Sequence, residues 1–196
     1  MRVEPVPESA AGADDQELMV AVSRGETGAF SELFRRYQQP VFGFYRRRLA
    51  DPAQAEELTQ ETFVAILRGA SRYQPTAPFR TYLYGIAFRM LGAYRRKRAL
   101  RSAFFGGSRA LATQSTTETE LLLREAVGKL ERTDREILLL REFEQLSYAE
   151  IAELLKLPIN TVRSRLFRAR VALRELLTLP AQRTSAAAIH RPEEAL

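Results

Sequence analysis

The chain has 196 residues, 45% hydrophobic and 28% charged, enough for one compact domain or two small ones and too apolar to be disordered throughout. It has no Cys and a single His, His190, in a polar C-terminal stretch, which together remove disulfides, thiolate catalysis, zinc sites, Ser-His-Asp triads and His acid-base pairs. Lys and Arg number 30 against 24 Asp and Glu, and the resulting formal charge of +6 favours a polyanionic partner.

Residues 1–13 hold two prolines, small residues and no apolar core of a signal segment, and no run of about 18 apolar residues follows anywhere. The expectation is a disordered tail on a cytoplasmic protein without membrane insertion. Asp14 can cap a first helix over 15–24, which Gly25 ends. A longer pattern over 27–49 repeats Phe30, Leu33, Phe34, Tyr37, Val41, Phe42, Tyr45 and Leu49 at three- and four-residue steps. Pro40 lies inside it and predicts a kink or break. After Asp51-Pro52 a helix over 53–69 turns Leu58, Phe63, Ile66 and Leu67 inward and leaves Glu57, Gln60 and Glu61 outward, an acidic face.

Residues 72–78, RYQPTAP, form a loop by their prolines. The next helix carries the stripe Phe79, Leu83, Ile86, Ala87, Met90, Leu91 and Tyr94 and runs out in Arg95, Arg96, Lys97, Arg98 and Arg101, a stretch with no acid. Gly85 and Gly92 each cost this helix about 1 kcal/mol against Ala, so they admit either close packing by a neighbour, the simpler reading, or a ligand. Residues 100–117 mix Gly-Gly, Ser and Thr without periodicity and predict a flexible linker. Helices are expected again over 120–130, 133–142, 147–155 and 159–177. Pro180 closes the fold and 180–196 form a second disordered tail. With no strand alternation anywhere, the chain is predicted to be all-α: two small helical domains, 14–99 and 118–179, joined by the 100–117 linker.

Residues 147–177 carry the sharpest functional signal. Ser147 and Glu150 form a capping-box pair, Ile151, Leu154 and Leu155 give a short apolar face, and Lys156-Leu157-Pro158 turns directly into another helix. This is helix-turn-helix spacing. On the second helix Val162, Leu166, Ala169, Leu173 and Leu176 share the inner face, whereas Arg163, Ser164, Phe167 and Arg168 share another. That second face suits a major groove, with guanidinium forks for guanine and phosphate, a hydroxyl, and an aromatic edge for thymine methyls. The plainer alternative is a solvated basic helix touching nothing. The exposed Phe167, and the absence of acids from 159 to 174, argue against it.

The second candidate site spans 73–101, where Tyr73, Tyr82 and Tyr84 lie beside Arg80, Arg89 and the basic run. Aromatic rings among cations suit unpaired bases, because every base offers a π face and every nucleotide a phosphate. Phe79 and Tyr94 fall on the apolar stripe and are expected in the core.

With both regions in view, the chain resembles bacterial sigma factors of the sigma-70 family, in the small extracytoplasmic-function group. The resemblance rests on AEELTQETFVAILRG (55–69), APFRTYLYGIAFRMLGAYRRKR (77–98) and LERTDREILLLREFEQLSYAEIAELLKLPINTVRSRLFRARVALRELL (130–177). It implies that the first domain is sigma region 2, binding core RNA polymerase and the −10 element. The second is then sigma region 4, reading the −35 element. It implies Glu57, Gln60 and Glu61 as the contact with the polymerase β′ coiled coil, and Tyr73, Arg80, Tyr82, Arg89, Arg95, Arg96 and Lys97 as the −10 and strand-opening set. Thr161, Arg163, Ser164, Phe167 and Arg168 become the −35 set. Further implied partners are the polymerase β flap, promoter DNA and an anti-sigma factor; no cofactor, metal or catalytic residue is implied. Tyr82 stands where the family often has Trp, Phe88-Arg89 where it often has Arg-Asn, and Lys156 where Gly is common in the turn, which predicts an altered or strained turn.

Two other classes compete. A DNA enzyme would need a nucleophile among activating groups or clustered carboxylates, and Glu56, Glu57 and Glu61 have no His or nearby Asp to complete a site. A dimeric helix-turn-helix regulator of duplex operators accounts for the second domain but leaves 55–98 idle.

Overall fold

The computed structural model describes residues 14–105 and 118–188, with side chains placed for 14–101 and 121–178. The tail at 1–13, the linker residues 106–117 and the end at 189–196, His190 included, lie outside the described residues. Among those described, every regular element is a helix. The chain divides into two compact units, Met1–Thr113 and Gln114–Leu196.

The first unit begins with α1 (Asp15–Ser23). Asp14 caps it through a full capping box with Glu17, and Gly25, at φ +90°, ends it in a conformation side-chain-bearing residues rarely adopt. α2 (Thr27–Arg46) is one continuous helix through Pro40, without the break the sequence suggested. Pro40 removes one amide donor, and burial of Val41, Phe44 and Tyr45 on the next turns offsets that loss. α3 (Pro52–Gly69) starts with Pro52 in the first turn, as expected, and Asp51 caps it through the Ala53 amide. A short 3-10 turn (Ala70–Arg72) then leads to the loop and to α4 (Phe79–Phe105). α4 passes the expected end at 99 because no Gly or Pro interrupts it before Gly106-Gly107.

The helices α1 to α4 close around Leu18, Met19, Leu33, Phe44, Tyr45, Phe63, Ile66, Phe79, Leu83 and Leu91, all buried. Tyr45 ties three of them together: its hydroxyl, on α2, lies 2.7 Å from Thr62 Oγ1 on α3 and 3.1 Å from the Ala87 carbonyl on α4. That burial pushes its phenol well above the usual range. Tyr84, grouped by the sequence with the base-stacking aromatics, is instead core. It is 3% exposed and its ring lies 5.6 Å from Phe44. Leu67, expected inside, is 45% exposed; Thr59 and Thr62 take the inner positions, returning their hydroxyls to carbonyls of their own helix. Small hydroxyl residues fit where α3 packs closely, and Leu67 sits one position too far round the helix. Close packing does not explain Gly85, where an added methyl would meet nothing within 4 Å, nor Gly92, which faces only Arg96 Nη1 of its own helix at 3.4 Å.

The second unit holds α5 (Glu118–Lys129), α6 (Arg132–Glu142), α7 (Tyr148–Leu155) and α8 (Ile159–Ala188). α6 supplies the apolar centre through Ile137, Leu138, Leu139 and Leu140, against Ile151 of α7 and Val162, Leu166 and Ala169 of α8. The backbone of α8 continues past Pro180, where the sequence reading closed the fold. A proline forfeits one hydrogen bond, and the Ala-rich residues that follow favour helix strongly enough to carry the backbone on.

Candidate nucleic-acid interface

In the second unit the site is built from the turn between α7 and α8. Ser147 and Glu150 form the predicted capping box at the start of α7. Lys156 ends α7 at φ 55°, ψ 48°, the left-handed conformation that Gly adopts without strain, so of the strained or altered turn expected from Lys in place of Gly it is the strained one that is present. The Leu157 amide returns to the Ala152 carbonyl at 2.9 Å, and the Thr161 amide to the Pro158 carbonyl at 2.9 Å. These bonds fix the angle between the two helices and aim the first turns of α8 outward.

On α8 the buried stripe Val162, Leu166 and Ala169 fixes the rotation of the helix, which leaves Arg163, Ser164, Phe167 and Arg168 exposed together, with Thr161 half-buried beside them. Phe167 is 69% exposed, an arrangement that costs apolar hydration and that a monomer has no packing reason to keep. The structure also separates the arginines by role. Arg165 spans to Glu131 (2.6 Å) and Asp134 (2.8 Å), and Arg170 to Glu142 (2.6 Å), so these two brace α8 against α6 and its cap. The hydrogen bond from Arg165 to Asp134 raises its guanidinium pKa, and the bond from Arg170 to Glu142 does the same. Arg163, Arg168 and Arg174 have no ion pair among the described residues. Sequence alone could not make this division, because the three acids lie 28 or more residues away along the chain.

In the first unit Tyr73 and Tyr82 do meet: their rings touch edge to face at 5.0 Å, with Phe79 at 6.4 Å from Tyr82. Both are half-buried. Sandwiching a flat ring between two others takes about 7 Å, two carbon contacts of about 3.5 Å each, so the pair as it stands leaves no slot between its rings. Gly69, unmarked in the sequence reading, is what lets Tyr82 lie down: a methyl there would come within 2.9 Å of the Tyr82 hydroxyl. Arg80 is half-buried near Tyr37, whose phenol is pushed upward by burial and by its hydrogen bond to Asp15. Arg89, Arg96 and Lys97 are exposed and Arg95 half-buried. At 1.5 Å per residue the thirteen residues from Tyr82 to Arg95 span about 20 Å, so the aromatic pair and the basic run are two separate surfaces of α4.

On α3 the side chains of Glu57, Gln60 and Glu61 are exposed, as read. Glu57 accepts a hydrogen bond from Gln54 (2.7 Å). Val64 (43% exposed) and Leu67 (45%) continue the same flank one and two turns on, so the acidic face carries an apolar margin that the period count had turned inward at Leu67.

Residues 33–101 match the family model for sigma-70 region 2, and residues 120–173 match that for sigma-70 region 4. The RNA polymerase sigma-H factor of Pseudomonas aeruginosa is 33% identical over 180 residues, covering 83% of this chain and 93% of the relative. The chain belongs to the sigma-70 family of RNA polymerase sigma factors. The ECF RNA polymerase sigma-E factor of Escherichia coli strain K12, 32% identical over 176 residues, covers 81% of this sigma factor and 92% of its own length, and places it in the extracytoplasmic-function group. The solved structure of CnrH in complex with the cytosolic domain of CnrY is similar in fold, with a TM-score of 0.66 at 27% identity over 84% of this chain and 97% of that one. Among the described residues no group of His, Asp or Glu is placed to hold a metal ion, and no helix is long and apolar enough to cross a membrane.

Proposed function

We propose that this sigma factor binds core RNA polymerase, carries it to promoters by reading a −35 element with α8 and a −10 element with the 73–78 loop and α4, and assists strand opening. The observation that carries the reading is the presence, in one chain and in family order, of a region 2 bundle with an acidic outer face and a region 4 helix-turn-helix with a basic one. Arg163, Ser164, Phe167 and Arg168, with Thr161 beside them, take the duplex groove. Tyr73 and Tyr82 take unstacked bases of the opened strand, Arg80 and Arg89 the adjoining backbone, and Arg95, Arg96 and Lys97 the phosphates further along α4. Glu57, Gln60 and Glu61 meet the polymerase β′ coiled coil, and the second unit meets the β flap. The bond-making chemistry then belongs to polymerase, and the protein acts in the cytoplasm where polymerase is. An anti-sigma factor completes the set of partners, on the strength of membership in the extracytoplasmic-function group.

The test is run-off transcription with core enzyme and mapping of the start sites, together with size-exclusion chromatography of the mixture. Co-elution with core and start sites downstream of a shared pair of elements support the reading. A dimer that binds duplex operators and does not co-elute with core would replace it.

A further inference from the structure

The 73–78 loop is held on two sides, and only one of them belongs to the matched region 2. On one side it runs into α4. On the other stands α1, which precedes residue 33, where the region 2 match begins. Gln16, half-buried on α1, donates its side-chain amide to the Ala77 carbonyl at 2.8 Å, across 61 residues of chain.

α1 is itself fixed in place. Leu18, Met19 and Val22 are buried, and the Asp15 carboxylate accepts from Arg36 Nη1 at 2.8 Å and from the Tyr37 hydroxyl, both on α2. The Tyr37 ring in turn meets Phe79, the first residue of α4, edge to face at 5.4 Å. The loop makes few hydrogen bonds of its own beside this frame. Pro75 and Pro78 fix their own φ and have no amide to donate, and the Thr76 amide reaches only to Gln74, at 2.8 Å. At its other end the Tyr73 hydroxyl is buried without a hydrogen-bond partner among the described residues, so packing against Tyr82 holds that ring.

We infer that Gln16 is a positioning residue for strand capture: through the Ala77 carbonyl it sets the loop, and with it the Tyr73–Tyr82 pair, in the geometry that receives an unstacked base. The inference rests on the proposed role of that pair at the −10 strand. Opening a promoter then draws on a helix that the matched family region does not include.

The test uses holoenzyme made from the full chain and core polymerase. Gln16→Glu keeps the shape and replaces the donor with a carboxylate facing a carbonyl; Gln16→Ala removes the group. Transcription is measured from a fully duplex promoter and from the same promoter with its −10 bubble already open, and the thermal midpoint of the free protein is recorded. Losing one hydrogen bond of ordinary strength predicts roughly a three- to tenfold loss on the duplex template, return to within about twofold of the parent on the bubble, and a midpoint lowered by only a few degrees for Gln16→Ala. Equal losses on both templates, a large fall in the midpoint, or no loss on either template would overturn the inference. Tyr82→Ala on the same two templates separates the levels. If the bubble rescues Tyr82→Ala and the Gln16 variants behave as the parent on duplex, the positioning role alone falls. If the bubble does not rescue Tyr82→Ala, the strand-capture reading falls and takes the positioning role with it.

Discussion

The two surfaces proposed for nucleic acid are made in opposite ways. The face on α8 is finished before any DNA arrives: a buried stripe fixes the helix rotation, Arg165 and Arg170 clamp it to acids of α6 and its cap, and Arg163, Ser164, Phe167 and Arg168 stand in solvent. The aromatic surface of the first unit is folded into itself, with Tyr73 and Tyr82 in edge contact at 5.0 Å and Tyr82 laid against Gly69. The difference fits the two targets proposed for them. A duplex groove has fixed spacing and rewards rigid, pre-placed donors, whereas an unstacked base needs a large flat partner, which a half-buried ring pair offers with less apolar surface in water than two free rings would expose.

The largest expected effect lies off both surfaces. Glu57→Lys with Glu61→Lys reverses the charge of the exposed flank of α3, where neither residue packs in the core. The double variant is expected to keep its helical circular dichroism yet lose about a hundredfold in affinity for core polymerase, since like charges brought together across an interface cost several kcal/mol. Fluorescence anisotropy with labelled protein measures it, and unchanged affinity would remove α3 from the polymerase contact.

Next come the arginines of α8, where the comparison can be broken directly. Arg163→Ala or Arg168→Ala is expected to cost about 1 to 3 kcal/mol on a matched −35 element and to relax preference at particular positions, measured by binding to a set of single-base variants. Arg165→Ala is expected to do the reverse, lowering the thermal midpoint through loss of its pairs with Glu131 and Asp134 while leaving base preference intact. Were Arg165 and Arg163 to behave alike, the division between bracing and reading would be wrong.

A smaller effect depends on pH and belongs to the first unit. Glu32, 1% exposed on α2, is held down to about 2 from its ordinary value of 4.5, first by the hydrogen bond from Arg35 and then, against the cost of burial, by that from Arg36. A carboxyl whose folded pKa is depressed stabilises the fold fully above its unfolded value and loses that contribution as pH falls toward the folded one. Stability should therefore decline between about pH 4.5 and 2, and Glu32→Gln should flatten that slope in denaturant titrations. An unchanged slope would place the acid sensitivity elsewhere.

The smallest is a gain. Lys156→Gly relieves a left-handed backbone at the end of α7 and should raise stability by about 1 kcal/mol with no change in −35 preference, read from thermal unfolding and operator binding of the full chain. Loss of preference would mean that the Lys156 side chain, and not the turn, serves the DNA.

Much of this was legible from the sequence, for identifiable reasons. Asp14, Pro52 and Ser147 announced their helices because helix starts are decided within four residues, and the Val162, Leu166, Ala169 stripe located the exposed face because helical period alone sets which side chains share a side. The resemblance supplied the order of the two regions. Less legible were Leu67, which period counting turned inward, and Tyr84, which its cationic neighbours grouped with Tyr73 and Tyr82, because a helix packed against several neighbours buries an arc whose edges are set by those neighbours. The extent of α4 and α8 was underestimated as well: α4 continues until just before Gly106-Gly107, and α8 carries on through Pro180, because one proline costs a helix a single hydrogen bond.

What the sequence determined by itself, then, was local: caps, the helical periods, and the face of α8 that carries Arg163, Ser164, Phe167 and Arg168. Only the tertiary structure decided which charges are spent within the protein and which remain for a partner. Arg165 and Arg170 look like Arg163 and Arg168 in the sequence, and Gln16 looks like any polar residue of a first helix. Their partners, Asp134, Glu142 and the Ala77 carbonyl, lie 28 to 61 residues away. Contacts at that separation are fixed by how the helices pack, and no local pattern encodes them.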